Sequence, residues 1–344
     1  MSQTATIDLP ELPGVLSADE LALTAEHLVS LQLPDGMIPW YPGGHCDPWN
    51  HVETAMALDV AGRHDEAAAA YRWLRATQRE DGSWHNYYRS DGSVEDAKLD
   101  TNVCAYVATG VWHHLLCTGD ESTATELWPT VERALGFVLG LVRADGVPVW
   151  AIEPDARPWT YALLTGSASI QHSLRCGADL ADLLGHPRPQ WRVAADRMVP
   201  VIATRPDAFE PKTRWAMDWY YPVLTGALTG DTAVRRLESG WDTFVMEGIG
   251  IRCVSDEPWV TASETAECAL AYAAVGDLAT ATDLLEWTRT HRRADGSYWT
   301  GIVYPDRILF PFEEHTAYTA AAVILAVDAI TQTSPAAGLF VPTG

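Results

Sequence analysis

Five stretches of this chain set acidic side chains beside aromatic or hydrogen-bonding groups, each next to an apolar, helix-like run. The densest is Trp40-Tyr41-Pro42-Gly43-Gly44-His45-Cys46-Asp47-Pro48-Trp49-Asn50-His51-Val52-Glu53. The others are Asp100-Thr101-Asn102, Trp215 to Pro222 around Asp218, Trp259 to Glu267 with Glu264, and Pro311-Phe312-Glu313-Glu314-His315. Carboxylates from several segments around one aromatic cavity suit cleavage of a glycosidic bond. One carboxylic acid protonates the leaving oxygen, and a second carboxylate activates water or attacks the anomeric carbon. Proximity and partial burial raise the pKa of the acid. Asp47 is the expected general acid and Glu264 the expected general base. For an inverting reaction the two carboxyl groups should stand roughly 6.5 to 9.5 Å apart. Trp40, Trp49, Trp84, Trp219 and Tyr220 are expected as sugar platforms. His45, Asn50, Glu53, Asp100, Asp218, Glu267, Glu314 and His315 are expected as polar contacts. The plain alternative for each carboxylate is a helix cap. Asp47 before Pro48 reads as an N-cap with proline at the first helical position, and the two roles are compatible.

Other chemistries find little support. There is no GxSxG elbow and no GxxxxGK[ST] phosphate loop. His45 and His51 are badly spaced for a shared metal, no HExxH occurs, and the adjacent His113-His114 pair lies in an apolar helix. No metal and no cofactor are expected.

The elements that must position these residues repeat. Four helix-like stretches end alike: Gln32 to Trp40 through Asp35-Gly36, Gln78 to Trp84 through Asp81-Gly82, Arg143 to Trp150 through Asp145-Gly146, and Arg293 to Trp299 through Asp295-Gly296. Such self-similarity marks a repeated architecture. Helices are expected over 18–31 (N-cap Ser17, with Glu20 completing a capping box), 49–61, 65–77, 102–117, 130–142 after a shorter turn from 121, 167–184, 190–203, 219–228, 231–238, 263–275, 278–292 and 316–331. Two kinds alternate. Glu53 to Gly62, Glu267 to Gly276 and His315 to Val323 are small and apolar all round, as for inner helices packed on every side. Asp65 to Arg75 is amphipathic, as for an outer helix with a wet face. Strand signals are weak and confined to short loops such as 147–152. The expected fold is all-α: one (α/α)6 toroid of inner and outer helices over 1–344, joined by short loops. Inner helices then start at one face, where their leading loops converge. Aligning them places Glu267 level with Glu53, and Glu264 level with Asn50.

The totals fit this reading. The 344 residues are 47% hydrophobic, enough for a large core. With 46 acidic against 23 basic side chains the formal charge is -23, which repels nucleic acid, anionic membranes and polyanionic substrates. A neutral oligo- or polysaccharide is the expected partner. The six cysteines form no CxxC pair and most sit in apolar stretches, as in a reducing compartment. No signal peptide and no membrane span are expected, so the reading is cytoplasmic. Fifteen tryptophans and 12 tyrosines supply flat faces for sugars as readily as for packing.

Gln78-Arg79-Glu80-Asp81-Gly82-Ser83-Trp84 resembles the QW repeat of terpene cyclases and protein prenyltransferases, which are α/α toroids. Their DxDD, DDxxD and Asp-x-Cys motifs are absent, so the likeness supports the fold and not that chemistry. Over nearly its whole length the chain is more similar to six-hairpin glycoside hydrolases. Gly36 to Trp40 continuing to His45-Cys46-Asp47-Pro48-Trp49 resembles their first active-site loop. Met217 to Pro222 and Glu314-His315-Thr316-Ala317-Tyr318 resemble later cavity loops. Within that group the chain is most similar to actinobacterial endo-α-1,4-mannosidases that hydrolyse methylmannose polysaccharides. That resemblance implies an inverting reaction on a neutral, partly methylated mannan. An isoprenoid cyclase or transferase, or a non-catalytic carbohydrate-binding protein on the same toroid, are the alternatives.

Overall fold

The structure is a computed structural model and describes residues 8–341. Six outer helices alternate with six inner ones along the chain. The outer set is α1 (Ala18–Leu31), α3 (His64–Thr77), α6 (Glu121–Leu139), α8 (Pro189–Thr204), α10 (Gly230–Phe244) and α12 (Leu278–Trp287). The inner set is α2 (Pro48–Val60), a helix interrupted at Tyr106 into α4 (Thr101–Ala105) and α5 (Val107–Thr118), then α7 (Leu164–Leu183), α9 (Ala216–Leu224), α11 (Ala262–Ala274) and α13 (Ala317–Thr331). Each inner helix packs on the next, and α13 packs on both α11 and α2, which closes the ring. The expected (α/α)6 toroid is therefore the observed fold.

Local sequence explains the split between layers. In α10 only Ala233, Leu237, Gly240 and Phe244 are buried, a single stripe at helical spacing. In α13 every residue from Thr319 to Ala329 is buried. Its Ala-rich composition lets two neighbouring helices approach on both sides. The capping box of α1 is present, with Ser17 Oγ accepting from the Glu20 N–H at 3.3 Å and Glu20 Oε2 accepting from the Ser17 N–H at 3.0 Å.

The Asp-Gly turns join outer helices to one another. Gly36, Gly82 and Gly296 sit at φ +98°, +91° and +84°, where a side chain is strained. A Cβ at Gly36 would also run into the Ala69 carbonyl of α3, at Gly82 into the Arg133 carbonyl of α6, and at Gly296 into Leu23 of α1. Each turn thus seats directly on the backbone of the following outer helix. The last one seats on the first, where Thr24 Oγ1 donates to the Gly296 carbonyl at 2.9 Å.

Two expectations need correction. The stretch from 121 is one helix to Leu139, not a turn and a later helix over 130–142. Pro129 and Thr125, whose carbonyl it cannot bond, are both exposed residues, where a missing backbone donor costs least. Val142 instead pairs with Pro148 beyond the helix. Strands are also more numerous than expected. Ten short antiparallel strands form three sheets among the described residues. Three of these strands run into inner helices: His45–Cys46 into α2, Leu99–Asp100 into α4 and Trp259–Thr261 into α11. They aim the residues that follow. No helix among the described residues is long and apolar enough to cross a membrane.

Candidate active site

The inner-helix starts surround a cavity of 660 Å³. Asp47, Asp100, Asp218 and Glu264 line it, together with Trp40, Trp49, Asn50, Trp150 and Tyr318. Four carboxylates from four inner helices thus share one basin. The prenyl-type reading called for rings and aliphatic side chains instead.

Asp47 is the N-cap of α2 and more. Its Oδ1 accepts from the N–H groups of Trp49 and Asn50 at 2.9 and 3.0 Å. Its Oδ2 accepts from the Trp40 indole and the Asn50 amide, both at 2.7 Å. Asp100 repeats the arrangement on α4, with the N–H groups of Asn102 and Val103 on Oδ1 and the Trp150 indole on Oδ2. Burial nonetheless prevails at both sites and raises each carboxyl above its ordinary range, against the pull of those N–H donors.

Asp218 stands in the first turn of α9. Burial raises its pKa, opposed by the Thr165 hydroxyl, which donates to Oδ1 at 2.7 Å. Glu264 occupies the matching place on α11. It accepts from the Cys253 thiol at 3.1 Å, the Ser263 hydroxyl at 2.7 Å and the Thr261 hydroxyl. Such donors fix the orientation of the carboxylate. Asp47 and Glu264 share neighbours: the charges of both reach Glu53 and Tyr318.

Glu53 and Glu267 lie buried together on α2 and α11, at the matching level expected from the helix alignment. Burial first, then the neighbouring carboxylates, pushes the Glu53 carboxyl well up. Burial raises Glu267 as well, while the Tyr220 hydroxyl donates to it. Neither lines the cavity. His45 lies behind Trp40, edge-on at 4.4 Å between ring centroids. Glu314 is half-buried and bonds through its carbonyl to the Thr300 N–H, and His315 packs edge-on to Trp299.

Three expected platforms are core residues instead. Trp84 is fully buried and donates its indole N–H to the Leu74 carbonyl at 2.9 Å. Trp219 wedges against α10, where a Cβ at Gly240 would collide with its indole, and donates to the Arg236 carbonyl at 2.8 Å. Tyr220 is buried on Glu267. In α9 successive residues turn by about 100°, so Asp218 facing the cavity carries Trp219 and Tyr220 away from it.

Sequence reasoning missed Asn86, Tyr87, Lys98, Trp150, Thr165 and Lys212 on the cavity wall. One signal was available for Trp150. It follows Gly146 by four residues, as Trp40 follows Gly36, and both indoles end on the cap aspartate of an inner helix. The Trp49 Nε1, Asn50 Oδ1 and Asn102 Oδ1 atoms are buried without a protein partner. All three residues line the cavity.

The ring of six hairpins and its acidic, ring-walled basin define a protein of the six-hairpin glycosidase fold. Solved structures agree. A wild-type glycosidase matches 92% of this chain and 98% of its own with a TM-score of 0.72 at 13% identity. A D-mannose isomerase matches 92% and 99% with a TM-score of 0.66 at 12% identity. A rhamnosidase from Klebsiella oxytoca with rhamnose bound matches 93% of this chain and 65% of its own, with a TM-score of 0.63 at 16% identity. These likenesses concern the fold alone. No protein-family model matches the chain. The particular family comes from sequence: the chain is 50% identical over 332 residues to the MMP endo-(1,4)-3-O-methyl-alpha-D-mannosidase of Mycolicibacterium hassiacum, covering 96% of this chain and 92% of that one. The chain belongs to this endo-α-mannosidase family and is a glycoside hydrolase.

Proposed function

We propose that this enzyme cuts internal α-1,4 linkages of a 3-O-methylated mannan, with inversion, using Asp47 as general acid and Glu264 as general base. The similarity over 96% of the chain to an enzyme named for that substrate carries the substrate reading. For the pair, the support is that both residues line one cavity and both act on Glu53 and Tyr318. Burial keeps a proton on Asp47 more readily than in water, so it can protonate the leaving oxygen. Glu264, held by a thiol and two hydroxyls, takes a proton from the attacking water on the opposite face. Trp40 and Trp49 stand beside Asp47 as stacking surfaces. Asn50 and Asn102 line the same cavity as polar groups for sugar hydroxyls. The six cysteines are all free and five are buried, which suits the cytoplasm.

One observation favours a second assignment of the acid. Among the described residues the Asp218 carboxylate accepts from Thr165 alone, whereas the Asp47 carboxylate accepts from four donor groups. Leaving-group dependence separates the two. A good leaving group needs no proton. The acid variant therefore recovers on an aryl α-mannoside while staying slow on methylated mannan. Asp47→Asn should show that recovery and Asp218→Asn should not; the reverse outcome transfers the role to Asp218. Product anomers followed by NMR test inversion, and retention would remove Glu264 from the role of base.

A further inference from the structure

The chain has two lysines among its 23 basic side chains, Lys98 and Lys212, and both line the cavity. Lys98 is engaged: it lies over the Trp150 ring, 4.4 Å from the centroid, and pairs with Asp96 at 3.7 Å. Lys212 pairs with no carboxylate among the described residues, although its charge reaches Asp218. Several other donors on the wall are already turned onto carboxylates: Trp40 and Asn50 on Asp47, Trp150 on Asp100 and Thr165 on Asp218. The Trp49 indole N–H is unpartnered too, but it stands two residues from Asp47, at the reacting end. Met217 and Trp215 line the cavity with Lys212.

A sugar hydroxyl both donates and accepts, so a carboxylate can hold it. A methyl ether oxygen only accepts, and its methyl group gains from apolar surface. Carboxylates alone therefore serve hydroxyls and leave an ether oxygen desolvated and unpaired. An unpaired ammonium that lines the same cavity as a thioether and an indole supplies what the ether lacks. We propose that Lys212, with Met217 and Trp215, is the specificity-determining group that reads the 3-O-methyl substituent, its ammonium donating to the methoxy oxygen while the methyl lies on the apolar pair. This inference rests on the substrate proposed above.

The test compares kcat/KM on 3-O-methylated and unmethylated α-1,4-mannooligosaccharides of equal length, for wild type, Lys212→Met and Lys212→Arg, with thermal melts alongside. Wild type should prefer the methylated substrate. Lys212→Met should lose roughly ten- to a hundredfold on the methylated substrate, the scale of one hydrogen bond to a charged group. It should lose under about threefold on the unmethylated one, whose hydroxyl can turn its proton to Asp218. Lys212→Arg should keep most of the preference. If Lys212→Met melts early, Lys212→Leu should give the same selective loss. Equal losses on both substrates overturn the assignment and leave the hydrolase reading standing. A wild type that cleaves neither substrate overturns the substrate reading, and this inference with it.

Discussion

Two groups of aspartates in this ring look alike in sequence and behave in opposite ways. At the outer turns Asp35, Asp81 and Asp295 each accept the N–H two residues ahead, at 3.1 Å. At the inner helix starts Asp47 and Asp100 accept the N–H two residues ahead as well, and add an indole. The outer side chains keep their water. Partial burial pushes Asp81 and Asp295 upward, but the hydroxyl and N–H of Ser83 and Ser297 outweigh it and leave both carboxyls below the usual range. The inner side chains lose their water, and burial wins over equal or better hydrogen bonding. Solvent access, and not the number of donors, divides turn-building aspartates from those able to carry a proton.

Mutations should pull these two groups apart. The largest effect is expected at the cavity: Glu264→Gln should lower kcat on methylated mannan by about a hundred- to ten-thousandfold, with the melting curve nearly unmoved. An unchanged kcat would dissolve the contrast at its inner side. Next come the outer turns. Gly82→Ala, strained and facing the Arg133 carbonyl, should cost about 2–4 kcal/mol in denaturant titration. For comparison, Gly92→Ala in the hairpin between strands Tyr87–Arg89 and Val94–Asp96, at φ +80° but with open space around it, should cost about 1 kcal/mol. In both variants the KM of the remaining folded enzyme should hold.

Glu53→Gln sharpens the contrast through pH. Because folding raises the Glu53 pKa, the native state binds the proton more tightly than the unfolded chain. The stability contributed by that proton is complete below the unfolded pKa near 4.5 and is lost as pH rises toward the folded value. The variant should therefore match wild type at about pH 4 and exceed it by about 1–2 kcal/mol at about pH 8. The smallest effect is expected for Asp295→Ala, under about 1 kcal/mol with no change in kcat.

The ring itself was legible, because alternating amphipathic and small-residue helices repeat over lengths where periodicity is strong. The capping box at Ser17 and the cap at Asp47 were legible from a few adjacent residues. The strands that aim Asp47, Asp100 and Glu264 were not, since a pair such as His45–Cys46 is too short to show an alternation. Aromatic roles depended on spacing that composition hides. Rings two residues past a turn glycine, Trp84 and Tyr298, enter the core, whereas tryptophans four residues past, Trp40 and Trp150, reach the basin. Trp219 and Tyr220 misled because neighbours on a helix face different ways. Lys212 gave no sign at all, since a single cation in a loop has no pattern until the cavity forms around it.

The seat of the Gly296 turn on α1 joins positions 272 residues apart through Thr24. Until that latch is synthesised, α13 has no place between α11 and α2, and the nascent arc exposes the flanks of both. Catalytic competence should thus arrive late on the ribosome and all at once, and a chain cut before the final hairpin should be a ward of chaperones and not a slower hydrolase.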